Sequence, residues 1–198
     1  MKTIVLASGN AGKLRELTAL LAPLGLELTP QNAFGLETPP ETGTTFVDNA
    51  LLKARFASRH AGLPALADDS GIEVDALGGR PGVYSARYAG EGATDSQNLQ
   101  KLLEELRGPA TGRRTARYQC VIVLVRDADD PRPVIARGAW EGLIIDAPRG
   151  SGGFGYDPIF VPAGFEQTAA ELTAQEKNAI SHRGKALRAL IEELKGAR

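Results

Sequence analysis

Two carboxylates stand side by side at Asp68 and Asp69, after the apolar run Leu63 to Ala67 and ahead of Ser70-Gly71. Paired acids where a strand ends suit a hard divalent cation: Mg²⁺ takes oxygen ligands and is commonly held by one or two carboxylates together with substrate phosphates. Asp, Ser and Gly are also what a solvated turn is made of, and the tetrapeptide alone does not separate the two readings. Upstream, Ser8-Gly9-Asn10-Ala11-Gly12-Lys13 follows the apolar, β-branched run Lys2 to Ala7 and leads into a helical pattern, Leu14 to Leu21, ending near Gly25. A strand, a Gly-containing turn and a helix N-terminus present free N–H groups and partial positive charge, which suits phosphate. Lys13 adds a mobile cation. The run is not the GxxxxGK[ST] pattern, and an ordinary strand–helix turn reads the same way.

Other candidate groups are spread along the chain. Glu41 ends the Pro- and Gly-rich loop Pro30 to Thr44, just before a helix expected over Thr45 to His60. Asn49 and Lys53 are four apart on that helix and share a face. Lys53 could face the same centre as Lys13 or simply be solvated. Ala147 to Tyr156 loses regular patterning, and its glycines beside Phe154 suggest a backbone that approaches something and presents a ring to it. One helix is expected over Thr173 to Lys195, opened by a capping box of Thr173 and Glu176. Lys177, Ser181, His182, Arg183 and Gly184 cluster near its start.

The elements that must position these groups are a mixture. Leu26 to Thr29 reads as a second strand. Gly71 to Leu77 reads as a strand separate from the apolar run before the Asp pair, with the acids in the turn between them. GGRPGVYSARYAG is a structured loop whose Arg80 and Arg87 either face phosphates or fix the loop. Thr94 to Leu106 is an amphipathic helix. Thr115 to Arg126 and Val134 to Ile145 form a long hairpin, with Trp140 packed on the sheet, and Ile159 to Val161 resumes a strand. Strands and helices alternate early and a hairpin follows, so the fold class is mixed α/β. The 198 residues fit one domain, or two lobes sharing a sheet. A net charge of −1 leaves no global footprint for nucleic acid or a membrane surface. One cysteine, Cys120, excludes an internal disulfide and fits a reducing compartment. Met1 leads directly into a strand with no basic, apolar leader, and no apolar run approaches the ~20 residues of a membrane helix. A cytoplasmic protein is the expectation.

Taken together, the segments SGNAGK (Ser8 to Lys13), ETG (Glu41 to Gly43), TFxxNAxxKA (Thr45 to Ala54), ADDSGxxVDALGGxPGVYSARYAG (Ala67 to Gly90), GGFGYDPIF (Gly152 to Phe160) and EKNAISHRGKAL (Glu176 to Leu187) closely resemble the inosine/xanthosine triphosphate pyrophosphatase family. The resemblance covers essentially the whole chain in order. Ser8 stands where Thr is common, which keeps the hydroxyl. The resemblance implies a single nucleotide-hydrolysing domain over residues 1–198, with an elongated central sheet, flanking helices and two lobes around a nucleotide cleft. It implies Mg²⁺ dependence, a homodimer, and a deaminated purine nucleoside triphosphate as substrate. Ser8, Gly9, Asn10, Ala11, Gly12 and Lys13 would hold the triphosphate, Lys53 and Ser70 would face it, and Asp69 would be the catalytic carboxylate. Glu41, Asp68 and Asp69 would hold the metal. Phe154, Gly155, Tyr156, Asp157, Lys177, His182 and Arg183 would bind the base and sugar, with Phe154 stacking and Arg183 donating to the 6-keto oxygen.

Overall fold

The computed structural model describes residues 3–22, 27–107 and 114–196. Lys2, Gly25 and Leu26, expected in or beside the first elements, lie outside them. The order along the chain is β1 (Thr3–Leu6), α1 (Ala11–Leu21), β2 (Glu27–Pro30), α2 (Phe46–Ala61), β3 (Ala65–Val74), α3 (Asp95–Glu105), β4 (Thr115–Val125), β5 (Val134–Ile144), β6 (Phe160–Pro162), α4 (Ala174–Ile180) and α5 (His182–Gly196). The strands form one six-stranded sheet in the order β2-β1-β3-β4-β5-β6. β1 pairs in parallel with β2 and β3, and β5 pairs antiparallel with β6, so the sheet is mixed.

By compactness the chain divides into two units. The first takes residues up to Asp69, Cys120–Gly138 and Arg183 onward; the second takes Ser70–Gln119 and Ala139–His182. In the first unit, side chains that alternate along β1 and β3 feed two cores. Ile4, Leu6 and Leu66 join Leu17 and Leu21 of α1 with Leu187 and Leu190 of α5. Val5, Ala7, Ala65 and Ala67 join Ala50, Ala54 and Ala57 of α2. The alanines of α2 let helix and strands approach closely. The second unit packs Leu99, Leu102 and Leu103 of α3 with Tyr118, Trp140 and Phe160, so Trp140 is a core residue.

Two expectations are corrected, and both matter for the site. The Asp pair does not sit in a turn: β3 is one ten-residue strand running through Asp68, Asp69, Ser70 and Gly71. The turn formers are overridden because partners are present for both buried acids, as described below. The single C-terminal helix is two helices. Ser181 adopts extended backbone (φ −68°, ψ 163°) at the end of α4, and α5 begins at His182. Lys177 therefore does not share a continuous helical face with His182 and Arg183.

Candidate active site

Adjacent residues of a strand point to opposite faces, and β3 uses this to give its two acids different surroundings. Asp68 lies on the face of Leu66, toward α1 and α5. It meets Lys13 Nζ at 3.2 Å and Arg183 Nη2 at 3.2 Å, and is 1% exposed. Asp69 lies on the face of Ala65 and Ala67, toward α2. Its Oδ1 accepts from Lys53 Nζ at 2.8 Å and its Oδ2 from Asn49 Nδ2 at 3.3 Å. Lys53 Nζ also donates to Glu41 Oε1 at 2.8 Å. Asn49 Oδ1 accepts from the backbone N–H of Gly43 at 2.8 Å. Two residues one turn apart on α2 thus hold both the Asp69 carboxylate and the end of the preceding loop. Thr45 fixes where that helix starts, its hydroxyl accepting from Asp48 N at 3.1 Å.

The electrostatics follow from burial set against these partners. Burial alone raises the Asp68 carboxyl, but Lys13, Arg183 and Lys53 more than offset it and hold the group well below the usual carboxylate range. For Asp69 burial prevails: the carboxyl moves up, helped by the negative charge of Glu41 and only partly drawn back by Lys53 and Lys13. Burial would lower Lys53, yet Asp69, Asp68 and Glu41 keep it above its ordinary value. Arg183 is fully buried, pairs with Glu16 as well as Asp68, and is locked in its charged form.

The turn before α1 leads into a capped helix N-terminus. Asn10 caps the helix, its Oδ1 accepting from Lys13 N at 3.0 Å, and Ser8 Oγ accepts from Asn10 N at 3.3 Å. Ala11 and Gly12 occupy the first helical positions, whose N–H groups have no acceptor within the helix. Gly9, Asn10 and Ala11 are exposed.

The second unit gathers most of the residues expected around the base. Asp157 is the hub: its Oδ2 accepts from Lys177 Nζ at 2.6 Å and from Phe154 N at 2.9 Å, and its Oδ1 from Tyr118 Oη at 3.3 Å. Lys177 Nζ lies 4.8 Å from the Phe154 ring centroid. The Tyr118 ring stacks on His182 at 4.6 Å between centroids and 8° between planes. Gly155 N donates to Asp95 Oδ2 at 2.7 Å, and Tyr156 Oη to the Ser85 carbonyl at 2.8 Å. A side chain at Gly153 is excluded twice over, since its φ is +70° and a Cβ would stand 2.0 Å from Asp157 Oδ2. Ser70 follows Asp69 on β3 and is half-buried. Arg80 reaches the Leu77 carbonyl and Glu105, and Arg87 reaches Glu91, so both brace their loop.

Arg183, expected on the base side, is a fully buried guanidinium engaged by Asp68 and Glu16 of the first unit. Glu41 and Asp69 converge on the Lys53 ammonium, whereas Asp68 belongs to the other face of β3. Among the described residues no group of three or more His, Cys, Asp or Glu side chains is placed to hold a metal. Sequence reasoning missed Glu16 and Tyr118. Glu16 lies three residues after Lys13, hence beside it on α1, which was a usable signal. Nothing in the pattern around Tyr118 marked it.

The Ham1 family profile matches residues 4–193. The chain belongs to the Ham1 family. It is 56% identical over 195 residues to a dITP/XTP pyrophosphatase of Shigella flexneri, covering 98% of this chain and 99% of that protein. It is 58% identical over 193 residues to a dITP/XTP pyrophosphatase of Thioalkalivibrio sulfidiphilus, covering 98% of each. Among solved structures, a HAM1 protein from Coxiella burnetii superposes with a TM-score of 0.91 at 52% identity, covering 99% of this chain and all of that one. The Staphylococcus aureus Ham1 protein gives 0.85 at 39% identity over the full length of both.

Proposed function

We propose that the chain hydrolyses deaminated purine nucleoside triphosphates (ITP, dITP and XTP) to the nucleoside monophosphate and pyrophosphate. The observation that carries this reading is the buried set at Asp68 and Asp69, with Lys13 on one face of β3 and Lys53 on the other. Cleavage of a phosphoric anhydride needs positive charge on several oxygens and an aligned water more than covalent chemistry. Lys13 and Lys53 supply the charge, and the Ser8 to Lys13 turn receives phosphate oxygens. Asp69 accepts the proton of the attacking water. A carboxylate has about four lone-pair sites, and the Asn49 and Lys53 bonds leave room for that water.

The residues present fit Mg²⁺. Glu41 and Asp69 both reach one ammonium at 2.8 Å, so two oxygen donors already face a common cation. They would hold the ion together with substrate phosphates; when bound, it supplies further charge neutralisation and a lower pKa for its water. Asp68 is left as the partner of Lys13 and Arg183. On the base side we assign Phe154 to stacking, Lys177 and His182 to donors for the 6-keto oxygen, and Gly155, Tyr156 and Asp157 to shaping the loop. Adenine presents an amino group at that position and leaves such donors unpaired. No helix among the described residues is long and apolar enough to cross a membrane, and the net charge is −1. In the same reading the chain is a cytoplasmic homodimer that acts on free nucleotides rather than nucleic acid.

The test is incubation with Mg²⁺ and the inosine, deoxyinosine, xanthosine, guanosine and adenosine triphosphates, with pyrophosphate and orthophosphate assayed separately. Pyrophosphate released fastest from inosine, deoxyinosine and xanthosine nucleotides supports the proposal. Orthophosphate as the only primary product, or bound nucleotide with no turnover, as in a nucleotide sensor, overturns it.

A further inference from the structure

We propose that Asn49 is a positioning residue for the reaction: its side-chain amide holds the Asp69 carboxylate and the loop that carries Glu41 in one register. This rests on the reading of Asp69 as the catalytic carboxylate. Asn49 is fully buried on α2. Its two polar atoms face different groups, and the chemistry fixes which faces which. The Gly43 N–H can only donate, so it takes Oδ1 at 2.8 Å. That leaves Nδ2 toward Asp69 Oδ2 at 3.3 Å, the correct donor for an ionised carboxylate. The contact at Gly43 is close enough to exclude a side chain: a Cβ there would lie 2.7 Å from Asn49 Oδ1 and 2.6 Å from Asp48 Cβ. Glu41 is two residues before Gly43, and Lys53, one helical turn after Asn49, joins Glu41 to the other oxygen of Asp69. Lys53 therefore ties loop and carboxylate with charge, and Asn49 ties the same two pieces without charge. One tether leaves a carboxylate free to swing about it. Two tethers on separate oxygens set its plane, which decides where its remaining lone pairs aim.

Asn49→Asp separates the two ties. The new carboxylate still accepts from Gly43 N but faces Asp69 with an acceptor. Asn49→Ala removes both ties. Misplacing a catalytic group by ~1 Å costs about 10²-fold, so the expected result for Asn49→Asp is a kcat lowered by about that factor with KM within about three-fold of wild type. The Gly43 amide, followed by hydrogen exchange, stays protected in Asn49→Asp and exchanges faster in Asn49→Ala. The double variant Asn49→Asp/Asp69→Asn rebuilds the bond with donor and acceptor reversed. It regains the Tm lost in Asn49→Asp while staying inactive, and this readout holds even where Asn49→Asp alone folds poorly. A kcat for Asn49→Asp within about three-fold of wild type, a change confined to KM, or no recovery of Tm in the double variant overturns the inference. Asp69→Asn is measured alongside: if it retains turnover, the reading of Asp69 has failed rather than the role of Asn49.

Discussion

Arg183→Met separates a counter-ion inside the fold from a residue that reads the base. The substitution keeps much of the apolar stem and removes the charge. In the wild type the guanidinium donates to Asp68 Oδ2 from Nε at 3.4 Å and from Nη2 at 3.2 Å, and pairs with Glu16 through Nη1. Its loss leaves Asp68, 1% exposed, with Lys13 as its nearest remaining cation. Removing one partner of a buried ion pair costs about 3–5 kcal/mol. For a chain of this length each kcal/mol lowers Tm by about 2–4 °C, so a fall of roughly 6–20 °C is expected. Glu16→Gln is milder, about 1.5–3 kcal/mol, because one hydrogen bond to a charged group is weakened while Arg183 keeps Asp68. The assay is differential scanning calorimetry at neutral pH, with kcat/KM for inosine and adenosine triphosphates measured well below the lowered Tm. The ratio between the two nucleotides stays near the wild-type value. A Tm lowered by less than about 3 °C, equivalent to ~1 kcal/mol, together with collapse of that ratio refutes the reasoning and returns Arg183 to the base.

Lys53→Met removes the cation shared by Glu41 and Asp69, and kcat at saturating nucleotide falls by about 10²- to 10³-fold; a change in KM alone would contradict this. Phe154→Ala weakens all purine triphosphates to a similar degree, since stacking does not choose the base, and kcat/KM across the nucleotide panel checks it. Gly153→Ala drives a Cβ against Asp157 and raises KM for every nucleotide, with binding measured by calorimetry as the check. Burial pushes the Cys120 thiol up to about 12 from 9.0. A thiol reagent at pH 8 therefore leaves it unmodified until the chain unfolds. Because the folded value is raised, its contribution to stability is intact below the ordinary thiol range and is lost as pH rises toward 12. The Tm of wild type accordingly falls more steeply than that of Cys120→Ala above pH 9.

Where local pattern and tertiary demand agreed, the sequence was enough. β1, the helix after Ser8 to Lys13, α2 with its Thr45 cap, the β4–β5 hairpin and the Thr173–Glu176 capping box all follow from periodicity and cap chemistry. The Asp68–Gly71 stretch misled because turn propensity is local, whereas the Lys13, Arg183 and Lys53 that neutralise Asp68 arrive from α1, α5 and α2. The break at Ser181 misled for a related reason. Apolar periodicity continues from Ile180 into α5, and only the extended backbone of Ser181 interrupts it. His182 falls in the second unit and Arg183 in the first. Asn49 and Lys53 were legible as one helical face, but not that the face would hold Gly43 and Asp69 at once.

The central claim is that Asp69 is the carboxylate that performs the chemistry, with Lys53 and Lys13 supplying positive charge beside it. Asp69→Asn tests it most directly, with pyrophosphate release from inosine triphosphate at saturating Mg²⁺ measured beside Tm. Loss of a general base lowers kcat by about 10²- to 10⁴-fold. The account predicts a fall of that size in a protein that still folds with a moderately lowered Tm: Lys53 keeps Glu41 and the asparagine oxygen still accepts from it, while the asparagine amide now meets the Asn49 donor. A variant that releases pyrophosphate at a near-native rate would contradict it.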